Sequence, residues 1–244
     1  MPSERQRTVD QACREIAQLQ INRRIDMVIV HHTWEPPADK FRGIATVAGI
    51  RRFHQKKWPR HNDAGYHIEF GPNGEIYFCC PFNKVGAHAK GHNSHSIGVS
   101  YIADFGGPPN LPHPDGRRTP LDNPATYAGL AVGQLIVAAL CERFQLEPED
   151  VRFHNEFSSK TCPGTLMDLD EYRKAVKRFM DGDLKVVLLP GSEVVTCRPQ
   201  IEDGVTRCDL RPLAEALGYE VIADHLAEQN KIYLRKQKGG DTDD

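Results

Sequence analysis

The sequence predicts an α/β fold with a central mixed β-sheet flanked by helices, followed by a small C-terminal β-rich α+β module. Two observations lead to this fold class. Between residues 25 and 183, short runs of β-branched and aromatic residues alternate with segments of helical periodicity. After the breaker Gly182-Asp183, the pattern changes to short β-type runs around one short helical segment. The chain therefore divides into an N-terminal helical extension at 1–24, a main domain at 25–183, the module at 184–236 and a disordered tail at 237–244.

Each element of the first half has a local reason. Apolar residues at helical spacing predict a leading helix over 4–20 and a second helix over 44–57. A continuous apolar run predicts a buried strand over 26–31, and alternation predicts a strand over 66–70. A Pro-Asn-Gly turn then leads into a strand at 76–78.

The second half of the main domain follows the same logic. Residues 97–102 form another strand, and the Pro- and Gly-rich segment 106–124 predicts a long loop. Apolar periodicity predicts helices over 125–145 and 167–181. Strands interleaved with helices are typical of a layered α/β domain.

Composition narrows the possible function classes. The 244 residues are 39% hydrophobic and 26% charged, as in a soluble globular protein. A net charge of −2 gives no reason to expect nucleic-acid binding. No apolar run approaches the roughly 20 residues needed for membrane insertion. The polar N-terminus lacks the apolar stretch of a signal peptide, so we expect the protein to be cytoplasmic as synthesised. We also expect a monomer.

Metal-binding residue types cluster between His154 and Cys162. Histidine and thiolate are both good Zn²⁺ ligands, and this loop, which ends in Cys-Pro-Gly, allows the two to converge. We expect the third ligand to be His31, at the end of an apolar strand, whereas His32 points to the other side of that strand. Two histidines and one cysteine leave a fourth position open. That pattern indicates a single catalytic zinc ion rather than a structural one.

Seven ordered motifs cover about residues 25–180. They are Val30-His31-His32-Thr33, Phe53-His54 with Trp58, Asp63-Ala64-Gly65-Tyr66-His67, Gly74-Glu75-Ile76-Tyr77, Val85-Gly86-Ala87-His88-Ala89-Lys90-Gly91, Asn93-Ser94-His95-Ser96-Ile97-Gly98-Val99, and His154 with Lys160-Thr161-Cys162-Pro163. In this order the motifs resemble the zinc-dependent N-acetylmuramoyl-L-alanine amidases, which include the amidase-type phage lysozymes and the peptidoglycan recognition proteins. The resemblance implies that His31, His154 and Cys162 hold zinc. It also implies that Tyr66 and Lys160 are the catalytic partners.

The chemistry of these residues agrees with the resemblance. Lys160, two residues before Cys162, would lie within reach of the oxyanion that develops during amide hydrolysis, unless it is only a solvated lysine. The phenol of Tyr66 can hydrogen-bond the tetrahedral intermediate, unless its ring only packs in the core. Lys160 also matches the phage-type enzymes, whereas recognition proteins often carry a neutral residue there. Glu156 is more simply a solvated loop carboxylate than a base.

Three further residues are candidates for substrate binding. His88 and Asn93 lie in a glycine-containing loop region, where they could bind the glycan or the stem peptide, or serve only the structure of the loop. Trp58 could line the groove or pack in the core.

The C-terminal module carries a resemblance of its own. Residues 210–221 are similar to the stalk-type domain shared by copper amine oxidase N-termini and some bacterial cell-surface proteins. No copper chemistry follows from it. The module could tether the protein to the wall or pack against the main domain.

These features predict hydrolysis of the amide bond between N-acetylmuramic acid and L-alanine in peptidoglycan. A phage or prophage endolysin, bacteriolytic once it is released to the cell wall, is the setting that we expect. Two alternatives stay open: a recognition module that binds peptidoglycan without turnover, and a cytoplasmic amidase that recycles soluble muropeptides. The complete ligand set together with Lys160 favours an enzyme.

Overall fold

The computed structural model describes residues 5–106 and 124–181 and, beyond them, only the backbone of six short strands between residues 185 and 236. The helices and strands of the first two ranges are β1 Arg5–Arg7, α1 Val9–Ala17, β2 Met27–His32, α2 Ile44–Lys57, β3 Ile68–Phe70, β4 Ile76–Phe78, β5 Ser96–Tyr101, α3 Pro124–Phe144, β6 Val151–Phe153 and α4 Leu169–Met180. The short strands are β7 Lys185–Leu188, β8 Val194–Cys197, β9 Pro199–Glu202, β10 Val205–Cys208, β11 Tyr219–Ile222 and β12 Tyr233–Lys236.

The main sheet has six strands in the order β1-β4-β3-β5-β2-β6. Strands β3, β5, β2 and β6 run parallel, while β4 is antiparallel to both β3 and β1. Helices lie between these strands in the chain, so the predicted α/β class with a mixed sheet is confirmed. Because the carboxyl ends of parallel strands meet at one edge, the residues that follow β2 and β6 are neighbours in space.

Alternation along β2 sends its side chains to two different layers. Val28 and Val30 join the larger core, which also contains buried residues of α1, α3 and α4. Ile29 and His31 point to the opposite face, and both are fully buried. A second, smaller core pairs Val47 and Ile50 of α2 with residues around β4. The polar residue His31 therefore ends a buried strand on the side away from the main helical layer.

Several predicted boundaries need correction. The leading helix was expected over 4–20, but residues 5–7 form the edge strand β1 and α1 runs only from Val9 to Ala17. Thr8 sets this start, because its side chain accepts the N–H of Gln11 while the Gln11 side chain accepts the N–H of Thr8. Strand β3 starts at Ile68 rather than at residue 66. Strand β6, with three residues, was not predicted.

The C-terminal region is described only in part. Its strands form three antiparallel pairs, β7 with β8, β9 with β10, and β11 with β12. The helical segment expected after residue 210, the tail at 237–244 and most of the predicted loop at 106–124 lie outside the described residues. The stalk-like resemblance and the role of the module stay predictions.

One buried histidine ties the sheet to the loop beside it. The Nδ1 atom of His67 accepts the N–H of Gly98, so its Nε2 carries the proton and donates to the carbonyl of Lys84 at 3.1 Å, with the Arg23 guanidinium 3.0 Å from the same nitrogen. Burial, and next the Arg23 guanidinium, lower the pKa of His67 to about 3. The imidazole is therefore neutral in the folded protein across the physiological pH range.

We expect the metal-free protein to lose stability as the pH falls from about 6.5 towards 3. Across that window the unfolded chain binds a proton at His67 and the folded chain does not, so lower pH favours unfolding by at most about 1.4 kcal/mol per pH unit for this residue. Urea unfolding with a chelator present, at a series of pH values, measures the slope. His67→Gln should show a shallower slope than the wild type. Equal slopes for the two proteins would contradict this role.

Candidate active site

Three side chains from separate parts of the sequence meet at the carboxyl edge of the parallel strands. His31 is the next-to-last residue of β2, and His154 directly follows β6, the parallel neighbour of β2. The loop from His154 returns to Cys162, and the N–H of Asn155 donates to the carbonyl of Cys162 at 2.7 Å. The predicted ligands His31, His154 and Cys162 are thereby brought together, with one ligand atom from each lying within 4.8 Å of the other two.

The donor set fits a zinc ion. Zn–N bonds of about 2.0 Å and Zn–S bonds of about 2.3 Å place tetrahedral ligand atoms about 3.3 to 3.6 Å apart. The Nδ1 atom of His31 lies 3.6 Å from the Sγ atom of Cys162. The rings of His31 and His154 have centroids 4.5 Å apart. His154 and Cys162 are both half-buried, and all three ligand atoms lie within 4.8 Å of one another.

The electrostatics of the cluster favour metal ligation by the two histidines and disfavour the thiolate of Cys162 until a cation is bound. Burial is the main cause that lowers the pKa of both His31 and His154. The pKa of His31 lies well below its ordinary value. Both imidazoles are therefore neutral and present a lone pair. Burial raises the pKa of the Cys162 thiol to about 11. The Lys160 ammonium lowers the pKa of both His154 and Cys162, which places its charge beside the cluster.

Tyr66 lies against the same cluster. Its ring centroid is 5.0 Å from that of His31 and 5.1 Å from that of His54. Burial, followed by the charges of Cys162 and Glu69, raises the pKa of the Tyr66 phenol above its ordinary value. The half-buried phenol therefore stays protonated and can donate a hydrogen bond.

The side chains of Lys160 and Glu156 differ in their contacts with neighbouring residues. The side chain of Lys160 is exposed beside the two loop ligands. Glu156 instead binds Arg152 at 2.6 Å and accepts the N–H of Phe153 at 2.7 Å. These contacts hold the turn after β6, as expected for a loop carboxylate without a role as a base.

The structure also locates the other sequence candidates. His32 lies on the far side of β2, where its Nδ1 atom accepts the N–H of Phe105 at 3.0 Å. Asn93 uses its Oδ1 atom to accept the N–H groups of His88 and Ala89, so it holds their loop. Trp58 ends α2, with its ring centroid 5.1 Å from that of His54. Substrate contacts by His88, Asn93 and Trp58 stay predictions.

Sequence reasoning gave no role to two buried residues beside the site. His54 accepts the N–H of Gly65 through Nδ1, and burial lowers its pKa to about 4, so a neutral ring supports Tyr66. Its signal was present in the Phe53-His54 motif. Glu69 is fully buried opposite Ser100, which in turn lies opposite His31. The sequence signal for Glu69 was a carboxylate between the apolar residues Ile68 and Phe70 of β3.

Residues 21–165, more than half of the chain, match the Amidase_2 family, described as N-acetylmuramoyl-L-alanine amidase. The chain belongs to this family. The matched range contains every residue of the candidate site. Amidase_2 membership is consistent with the mixed sheet and with the position of the His-His-Cys cluster at its carboxyl edge.

Individual members of the amidase family resemble parts of the chain. An N-acetylmuramoyl-L-alanine amidase of Mus musculus is 34% identical over 112 residues, which are 43% of this chain and 21% of that protein. Peptidoglycan-recognition protein 2 of Holotrichia diomphalia is 35% identical over 79 residues, which are 32% of this chain and 42% of that protein. The chain thus spans less than half the length of these two relatives.

Solved structures resemble the chain at lower identity. The Ph2119 endolysin of a Thermus scotoductus bacteriophage is 20% identical, with a TM-score of 0.47 over 66% of this chain and 90% of that one.

Among the residues that the structure describes, no helix is long and apolar enough to cross a membrane.

Proposed function

We propose that the chain is a zinc-dependent amidase that hydrolyses the bond between the lactyl group of N-acetylmuramic acid and L-alanine in peptidoglycan. The observation that carries this proposal is the convergence of His31, His154 and Cys162, with Nδ1 of His31 3.6 Å from Sγ of Cys162. Three protein ligands leave one tetrahedral position for the reaction, which is the pattern of catalytic zinc. Family membership supports the choice of bond.

Zinc, when bound, would act as a Lewis acid on the scissile carbonyl and lower the pKa of the attacking water to about 7. The protein supplies the other requirements. His31 and His154 are neutral and offer lone pairs, and Cys162 must release its proton to become a ligand. Because burial disfavours the charged form of half-buried Cys162, a cation beside it stabilises the thiolate.

In this proposal Lys160 and Tyr66 stabilise the transition state. Attack on the amide carbon moves negative charge onto the carbonyl oxygen. The exposed Lys160 ammonium, beside the two loop ligands, can approach that oxygen from the solvent side. The protonated phenol of Tyr66 can donate to the same oxygen from the protein side. Preorganised donors of this kind favour the transition state over the bound substrate.

An aromatic surface on α2, which is linked to Tyr66 through the ring of His54, would suit a sugar-peptide substrate. Phe53 of α2 is 59% exposed, a high value for a large apolar side chain. The Lys57 ammonium lies 5.5 Å from the Phe53 ring centroid and 4.9 Å from that of Trp58. An aromatic surface beside a cation can stack on a sugar ring and attract the carboxylates of a stem peptide.

The proposed function is tested by digesting intact sacculi and soluble muropeptides side by side. Mass spectrometry should find the free stem peptide and the intact N-acetylmuramic acid, and a chelator should abolish their release. Cys162→Ser serves as the inactive control. Release from sacculi would support the endolysin setting, and release from soluble muropeptides alone would support a recycling amidase. If the protein binds sacculi but releases no stem peptide, the proposed hydrolysis is wrong and the protein is a recognition module.

A further inference from the structure

The zinc ligand His31 has a hydrogen-bond partner on the side away from the metal position. Its Nε2 atom lies 3.1 Å from the Nδ1 atom of His88, and the two rings meet edge to face at a centroid distance of 5.2 Å. His88 is only 8% exposed, so this contact is shielded from water. The contact leaves Nδ1 of His31 as the atom that faces Cys162.

The direction of this hydrogen bond is fixed by a third residue. The Oγ–H of Ser96 donates to the carbonyl of His92 at 2.7 Å, which uses the only hydrogen of that hydroxyl. Towards Nε2 of His88, 3.4 Å away, Ser96 can therefore only accept. His88 then carries its proton on Nε2, and its Nδ1 is an acceptor for His31. It follows that His31 is protonated on Nε2 and has a lone pair on Nδ1.

The fold reserves space for the His88 ring. A Cβ atom at Gly98 of β5 would lie 2.5 Å from two carbons of that ring, and one at Gly86 would lie 2.8 Å from Cδ2. Asn93 fixes the backbone on the other side by accepting the His88 N–H at 2.9 Å. The ring is held between a glycine of the sheet and a pinned loop, and it has little freedom to turn away from His31.

We propose that His88 is a positioning residue that accepts the Nε2–H of His31 and so keeps the Nδ1 lone pair of this ligand directed at the metal. The proposal rests on the proposed function, because it requires His31 to be a ligand. It assigns His88 a task inside the protein, whereas a substrate-binding residue would need an exposed ring. Partners of this kind fix the tautomer and orientation of a ligating histidine, and their loss weakens metal binding by about 10- to 100-fold.

The test compares two variants of nearly equal shape. H88N retains an acceptor where Nδ1 lies, and H88L does not. Zinc affinity is measured by competition with a chelator, without substrate. H88L should bind zinc about 10- to 100-fold more weakly than the wild type, and H88N should recover most of that loss. Urea unfolding of both metal-free variants shows whether they fold equally well.

Equal zinc affinities for H88L and H88N, with zinc binding by the wild type intact, would overturn the positioning role and leave the proposed function standing. Failure of the wild type to bind zinc would overturn both. A second measurement uses the wild type alone, so it does not depend on how well the variants fold. Long-range ¹H–¹⁵N spectra of the metal-free wild type should show His31 and His88 both protonated on Nε2, and protonation of either ring on Nδ1 instead would overturn the proposal.

Discussion

Replacing Cys162 with serine is expected to remove zinc and activity together. The hydroxyl of serine is a poor ligand for zinc compared with a thiolate, so we expect affinity to fall by more than about 100-fold, beyond the loss of a residue that only supports a ligand. Metal analysis of the purified variant and turnover of a soluble muropeptide give the two readouts. They should fall in parallel, because turnover requires the ion.

Cys13→Ser is the matched control for this substitution. It makes the same chemical change at a half-buried cysteine of α1, on the opposite face of the sheet. Zinc content and turnover should stay at the wild-type level in this variant. A Cys162→Ser protein that keeps full zinc occupancy and normal turnover would remove Cys162 from the ligand set.

Lys160→Ala is expected to lower kcat by about 100-fold while zinc content and thermal stability hold. The side chain is exposed, so its removal costs little packing. In the proposed mechanism its charge acts on the oxygen that becomes negative in the transition state, so the variant should lose more binding to the transition state than to the ground state. Steady-state kinetics on a soluble muropeptide separate kcat from KM.

Two comparisons sharpen the test of Lys160. Lys160→Arg keeps the positive charge and should recover part of the lost kcat. Lys174→Ala removes an exposed lysine of α4 that pairs with Glu171, and it should have no effect on turnover. A rise in KM with unchanged kcat would assign Lys160 to substrate binding instead.

The sequence predicted those parts of the fold that have a strong local pattern. Helix α2 was predicted at its observed bounds because it carries a clear apolar period, and β2 within one residue because it is a continuous apolar run. Strand β1 escaped prediction because Arg5-Gln6-Arg7 has no strand pattern, and it pairs only through the antiparallel edge of β4. Three-residue β6 is also too short for a period to show, although it places His154 beside His31.

The sequence predicted which residues form the candidate site but not the hydrogen bonds that link them. Ordered motifs pointed to His31, His154 and Cys162, which the fold brings together. The hydrogen bond between His31 and His88 depends on how the loop of His88 folds onto β5, and no local sequence pattern predicts that contact. The sequence therefore left His88 open between substrate binding and a role in its loop, and the burial of its ring favours a role inside the protein.

The two edges of the main sheet bear on how the protein behaves in concentrated solution. An edge strand offers unpaired main-chain groups to which another chain can add, and this is a route to aggregation. Here both outermost strands, β1 and β6, have three residues, so each leaves few such groups. The sheet is thereby a poor template for intermolecular strand pairing.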